Sequence, residues 1–161
     1  MKTDCKKNYS PFQALGKREI VADFAGGTLT SDGGALLLRE VEQRTAILNR
    51  FAKCFTDYRD EKRIEHSVLS LVSQRVIGLA LGYEDLNDHD HLASDKMLAI
   101  AVGKTDPNGM DRKSISDKGK PLAGKSTLNR LELTPADANT KSAYKKIVLT
   151  PEAVDNLFIA Q

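Results

Sequence analysis

The sequence predicts a mainly α fold, a helical cluster around one central buried helix with a small β-hairpin near the N-terminus. Three observations carry that expectation. Over residues 64–81, Ile64, Val68, Leu71, Val72, Val76 and Leu79 recur at three- and four-residue steps, the spacing that sets side chains on one helical face. Glu65, Ser70, Ser73 and Gln74 fall on the other faces. Towards the end of this stretch Val76, Ile77, Leu79, Ala80 and Leu81 leave almost no polar side, and a helix apolar all round is buried all round. Second, Gly26-Gly27 separates two short β-prone runs, residues 20–24 and 28–30, which is a hairpin signal. Third, the remaining apolar-periodic segments are bracketed by capping residues and stop glycines.

In chain order, residues 1–18 are polar and basic and read as a flexible lead-in, with Lys2, Lys6, Lys7, Lys17 and Arg18. Residues 19–103 read as the hairpin plus the helical domain. Ser31 or Asp32 caps a helix running to about Arg44, with Leu37, Leu38 and Val41 facing inward. Ile47, Leu48, Phe51, Ala52 and Phe55 give a second helical face, and Tyr58, Arg59 and Asp60 connect it to the central helix. Gly82 stops that helix where φ must turn positive, and Tyr83 folds back on its last turn. A short acidic helix covers residues 84–92, and Asp95 caps another that ends at Gly103. Residues 104–124 lose all periodicity and form a basic loop, marked by Asp-Pro, Asn-Gly and Lys-Gly-Lys-Pro. Residues 125–161 read as short helices leading towards a catalytic domain absent from the chain. Ser126 or Thr127 opens the first, residues 144–149 are open between helix and strand, and Thr150-Pro151 starts the last.

Composition excludes several classes. Apolar residues at 40% support a core, and charge at 29% without a long single-sign block argues against global disorder. The formal net charge of +2 restricts nucleic-acid binding to a local patch. No apolar run reaches membrane-spanning length, and the N-terminus lacks the apolar stretch of a signal peptide. Cys5 and Cys54 stand in no metal-ligand spacing, and Cys54 reads as a buried free thiol, which suits a reducing cytoplasm.

Two motifs suggest chemistry and are set against plainer readings. GKPLAGKS at 119–126 fits the phosphate-loop pattern. That chemistry needs a buried strand before the loop, whereas residues 111–118 are polar and charged, so a loop followed by a capped helix is the better reading. Asp85, Asp88, His89, Asp90 and His91 form a dense cluster, but neighbours along a helix diverge and the spacing matches no metal motif. Helix capping and pairing with Arg or Lys is the plainer reading. His66 likewise reads as a packed histidine.

GLALGYEDLNDHDHLASDKMLAIAVGK, preceded by FAGGTLTSDGGALLLREVEQRT and followed by LAGKSTLNRLE, resembles the N-terminal part of a bacterial insertion-sequence transposase of the family described as transposase DDE domain group 1. The likeness runs from about Asp23 to the end of the chain. It implies an intact protein that cleaves and transfers DNA strands with three carboxylates around divalent Mg or Mn ions. In that family the first catalytic aspartate lies on an apolar, RNase H-like strand. No such segment occurs in this sequence, so Asp32, Asp88 and Glu132 are not assigned, and the catalytic carboxylates are expected beyond Gln161. The resemblance therefore implies no catalytic residue, metal site or cofactor for this chain. It implies transposon-end DNA as partner, self-association or pairing with full-length transposase, no nucleotide, no membrane, and a bacterial cytoplasmic, nucleoid-associated location.

For DNA contact the candidates are Lys104, Arg112, Lys113, Lys118, Lys120, Lys125, Asn129 and Arg130. The seven cations of residues 104–130 outnumber three aspartates, and such a segment can neutralise phosphates. STLNRLE has the look of a short recognition helix whose Asn129 and Arg130 reach base edges. A solvated loop remains the plain alternative, and a stand-alone helical interaction module derived from a truncated transposase is the alternative function.

Overall fold

The structure is a computed structural model and describes residues 10–22 and 32–159. It is mainly α. The described residues form seven α-helices and two two-stranded antiparallel sheets.

The N-terminal hairpin pairs β1 (Ser10–Leu15) with β2 (Arg18–Ala22) through a turn at Gly16, whose φ of 61° favours glycine. The strand expected at residues 20–24 is thus the second strand, and its partner comes from the stretch expected as a lead-in. Gly26-Gly27 and residues 28–30 lie outside the described residues, as does Ser31. Leu15 and Ile20 bury against Leu36 of α1 (Ala35–Thr45).

The phase of α1 differs from the expected one. Leu36 and Arg39 are buried, while Leu37 and Val41 are 63% and 53% exposed and Leu38 lies at the surface. The reason is a polar debt in the hairpin. The β1–β2 register slips between Phe12 and Leu15, and the Arg39 guanidinium donates to the carbonyls of Gln13 (2.7 Å) and Ala14 (3.0 Å). Arg39 is itself 3% exposed, and giving a buried guanidinium its acceptors outranks burying two more leucines. The helix breaks at Ala46 in the left-handed region (φ 51°), and the Glu42 carboxylate then caps α2 (Ile47–Ala52) by accepting from the backbone N–H of Leu48 and Asn49.

Phe55 is not on a helix as its spacing suggested. It opens β3 (Phe55–Asp57), which pairs with β4 (Ile147–Leu149), the segment left open between helix and strand. Its ring meets Phe51 edge-on at 5.4 Å. Cys54 is a buried free thiol.

The central helix, α3 (Val68–Ala80), begins four residues later than periodicity suggested, because residues 61–63 form a 3₁₀ turn and Ser67 supplies the cap to Ser70 N–H. Gly82 ends it with φ 95°, and Tyr83 N–H bonds back to the Gly78 carbonyl. The Tyr83 hydroxyl reaches Asp32 at 2.7 Å. The helix serves two cores. Ile77 packs with Leu48, Leu92, Leu98 and Leu122, whereas Leu71 and Val72 pack with Ala123, Leu128, Leu131 and Ile147. Its last turns are not buried all round, since Leu79 is 44% exposed. Nor do Ser73 and Gln74 lie outside, as both are buried.

Short helices α4 (Asp88–Leu92) and α5 (Lys96–Ala101) follow, the latter capped by Asp95 on Leu98 N–H at 2.6 Å and stopped at Gly103 with φ 85°. Then come α6 (Lys125–Glu132) and, after β4, α7 (Pro151–Ile159).

Candidate nucleic-acid interface

The loop before α6 is held by α3, not left to solvent. Leu122 and Ala123 are each 1% exposed, so their backbone polar groups need partners. Leu122 N–H donates to the Ala93 carbonyl, and Gln74 supplies the partners of Ala123. Its Oε1 accepts from Ala123 N–H (2.9 Å), and its Nε2 donates to the Ala123 carbonyl (2.7 Å). Those two bonds fix the amide orientation. The second Nε2 hydrogen then points at His89 Nδ1, 3.1 Å away, which must accept. The His89 proton therefore sits on Nε2, facing Gly78 of α3, where a Cβ would come 3.0 Å from the ring. Burial lowers the His89 pKa and keeps the ring neutral.

Asp90 accepts from Lys125 N–H at 2.9 Å and so caps α6 from another helix. Gly124 leaves room for that carboxylate, since a Cβ there would lie 2.9 Å from it. At the other end Arg75 of α3 pairs with Glu132 and donates to the carbonyls of Tyr83 and Glu84. Leu128 and Leu131 bury against α3, which turns Lys125, Asn129 and Arg130 away from the core.

The basic candidates separate into three groups. Arg112 and Lys104 face inward at His66, while Lys113 is exposed and tied to backbone carbonyls. Arg112 pairs with Glu65 at 2.9 Å and donates to His66 Nε2 at 2.6 Å, and Lys104 Nζ lies 3.1 Å from His66 Nδ1. Arg112 has no acceptor, so Nε2 must accept and Nδ1 carries the proton. Burial, then Arg112, lowers the Lys104 pKa. Burial first, then Lys104, Arg112 and Arg59, lower the His66 pKa to about 3. Lys113 Nζ donates to the carbonyls of Lys62 and Ile64. Lys118 and Lys120 stand exposed on the loop. Lys125, Asn129 and Arg130 come together on α6.

Around that third group lies the most cationic surface among the described depressions. Tyr144 is 76% exposed and stands between two of them, with the Arg130 guanidinium 5.8 Å from its ring centroid. One, of about 330 Å³, is lined by Arg59, Arg63, Thr127, Lys146 and Asp60. The other, of about 490 Å³, is lined by Asn87, Lys125, Ser126, Asn129 and Lys145. Together they gather six cations and one carboxylate, Asp60. Arg59 is tied by Asp57 at 2.7 Å, Arg63 pairs with Asp60 at 3.7 Å and Lys125 leans on Asp90 at 3.5 Å, whereas among the described residues Arg130 and Lys145 meet no carboxylate. Sequence reasoning missed Arg59, Arg63, Tyr144, Lys145 and Lys146. The signal was the Tyr-Lys-Lys step at 144–146, an aromatic with adjacent cations.

The acidic cluster diverges. Asp85 accepts from its own turn at Asn87, Asp90 caps α6, His89 enters the core, and His91 is exposed. Among the described residues no group of three or more His, Cys, Asp or Glu could hold a metal. The phosphate-loop look-alike has its amides engaged. Lys120, Leu122, Ala123 and Lys125 donate to Asp117, Ala93, Gln74 and Asp90. None of the four is free to cradle a phosphate. No helix among the described residues is long and apolar enough to cross a membrane.

The described residues thus present clustered cations and an exposed aromatic at one surface. The family comparison is more specific. The model of the family described as transposase DDE domain group 1 matches residues 12–159, and the chain belongs to that family. It matches no curated protein and no solved structure.

Proposed function

We propose that this chain supplies DNA binding, not strand cleavage, to an insertion-sequence transposase. In this reading it is the N-terminal portion of the enzyme, engages transposon ends and helps assemble the synaptic complex in the bacterial cytoplasm, at the nucleoid. Metal-dependent cleavage and transfer, with Mg or Mn, belong to carboxylates of the intact protein outside the described residues. The observation that carries the proposal is the six-cation face around Tyr144. Membership of a transposase family supports DNA as the polyanion. Within this face Arg63, Lys145 and Lys146 serve phosphates, while Asn129 and Arg130 on the outer side of α6 are placed for base edges.

The test is a salt titration of affinity for an end duplex and a scrambled duplex. Phosphate contacts give a slope near −0.9 per neutralised phosphate, so Arg63→Ala with Lys145→Ala should weaken binding to both duplexes and shallow the slope by about two. Asn129→Ala should relax the preference for the end sequence. Lys118→Ala with Lys120→Ala is the comparison, since those lysines are exposed elsewhere. An unchanged slope in the first pair would move the interface off this face, and no binding by wild type at low salt would reject it.

One observation favours a second reading, a helical module that pairs with another copy of the transposase. Leu38 and Val41 of α1 and Val76 and Ala80 of α3 line an apolar depression of about 130 Å³ flanked by exposed Leu37 and Leu79. A concentration-dependent increase in mass that Val41→Lys abolishes would support that pairing.

A further inference from the structure

We propose that Tyr144 is a stacking platform for one unstacked nucleobase, so that the face binds DNA ends carrying a single-stranded stretch more tightly than blunt duplex. This rests on the DNA-binding reading above and adds to it the form of the DNA. The ring is 76% exposed although it sits beside a core that takes in Leu128, Leu131 and Ile147. Arg130 covers it at 5.8 Å, and depressions flank the Arg130–Tyr144 pair on both sides. Both volumes, about 330 and 490 Å³, fall in the range that holds a small ligand.

Duplex DNA has no use for such a ring. Its bases are stacked on one another, and its outer surface offers phosphates and groove edges only. A single strand differs, because each base has a free π-face and the backbone runs on through cationic grooves on either side of an aromatic. That is the arrangement around Tyr144. Arg63 and Lys146 line one side, Lys125 and Lys145 line the other, and the aromatic stands at the crossing. Thr127, Ser126 and Asn129 add neutral hydrogen-bonding groups beside the ring, which suit a polar base edge. An acidic peptide would satisfy the cations but would leave the ring without a partner of its own shape.

The experiment compares wild type, Tyr144→Ala and Tyr144→Phe at one salt concentration. The ligands are a blunt duplex, the same duplex with a short oligothymidine overhang, and poly-glutamate. A second overhang carries 2-aminopurine, whose fluorescence reports stacking. Wild type should prefer the overhang and change the 2-aminopurine signal. Tyr144→Ala should lose that preference, weakening overhang binding by roughly 5- to 150-fold, the worth of one base–aromatic stack. The readout is the ratio of overhang to blunt-duplex affinity, which Tyr144→Phe should leave as in wild type. Circular dichroism confirms that the variants fold. Equal affinity of wild type for blunt and overhang DNA, or an overhang preference that survives in Tyr144→Ala, overturns the inference while leaving the DNA-binding reading intact. Binding of poly-glutamate in place of every DNA overturns both.

Discussion

Replacing Gln74 by Leu should destabilise the fold by about 3 kcal/mol or more, because it strands buried polar groups without opening a large void. Leu nearly fills the volume of Gln, so the cavity contribution is small. What is lost is the two-point bond to Ala123 and the bond to His89, at 2.9, 2.7 and 3.1 Å. Ala123 N–H, Ala123 C=O and His89 Nδ1 would then lie buried without partners, since Ala123 is 1% exposed and His89 is fully buried. Each such group costs about 1–3 kcal/mol, and the low end for all three already gives about 3. The measurement is urea unfolding followed by far-UV circular dichroism. With a slope of about 1–3 kcal/mol/M, the midpoint should fall by at least roughly 1 M at unchanged slope. Gln74→Ala should cost more, by its added cavity. A midpoint for Gln74→Leu within error of wild type would mean that packing alone holds the Ala123 segment and that Gln74 does not place α6.

Two further outcomes follow from the same network and its neighbour. Gly78→Ala should destabilise by roughly 1–3 kcal/mol, although alanine is the better helix former by about 1 kcal/mol, because its Cβ would press at 3.0 Å on a His89 ring that Gln74 holds in place; a rise in thermal midpoint would show that the ring can move aside. His66, held neutral down to about pH 3, takes up its proton near pH 6.5 once unfolded, so the unfolded state binds more protons across that window and stability falls as pH drops through it. His66→Gln should show a shallower decline, with the difference between the two stability–pH curves changing by at most roughly 5 kcal/mol between pH 6.5 and 3; parallel curves would place His66 in water.

Legibility in the sequence followed the kind of force involved. The central helix, its Gly82 stop, the Asp95 cap and the Gly103 stop were readable because each is a local matter of spacing or of φ. The mainly α class was readable for the same reason, whereas the observed N-terminal hairpin turns at Gly16 and takes its first strand from the stretch expected as a lead-in. The phase of α1 was not readable. Apolarity pointed to Leu37, Leu38 and Val41, but the face was chosen by the carbonyls of Gln13 and Ala14, which called for Arg39. Gln74 looked like a surface residue for a similar reason, since its partner lies 49 positions away. Of the DNA candidates, charge picked out seven cations of residues 104–130, and the look of a recognition helix added Asn129. Charge could not tell that Arg112 and Lys104 face His66, because that depends on where the loop returns to α3. Arg59 and Arg63, distant in sequence from Tyr144, meet it only through the β3–β4 pairing.

The polar clasp at Ala123 explains why a surface helix can carry a site at all. Residues 119–124 are irregular, yet Leu122 and Ala123 are buried, so no helix or sheet ladder is available to satisfy their backbone. An apolar residue at position 74 would fill the space but leave the segment free to slip along α3, since apolar contacts are non-directional. The amide of Gln74 has one donor side and one acceptor side, and Ala123 presents the matching pair, so only one register satisfies both. His89 holds the amide's remaining hydrogen, and Gly78 makes room for His89. From that fixed point α6 runs for eight residues to Glu132, where Arg75 of the same central helix takes the other end. Arg130 is two residues before that second anchor. Its backbone is therefore fixed at both ends of the helix, so in the proposed interface the guanidinium over Tyr144 is carried by a rigid element and not by a mobile loop.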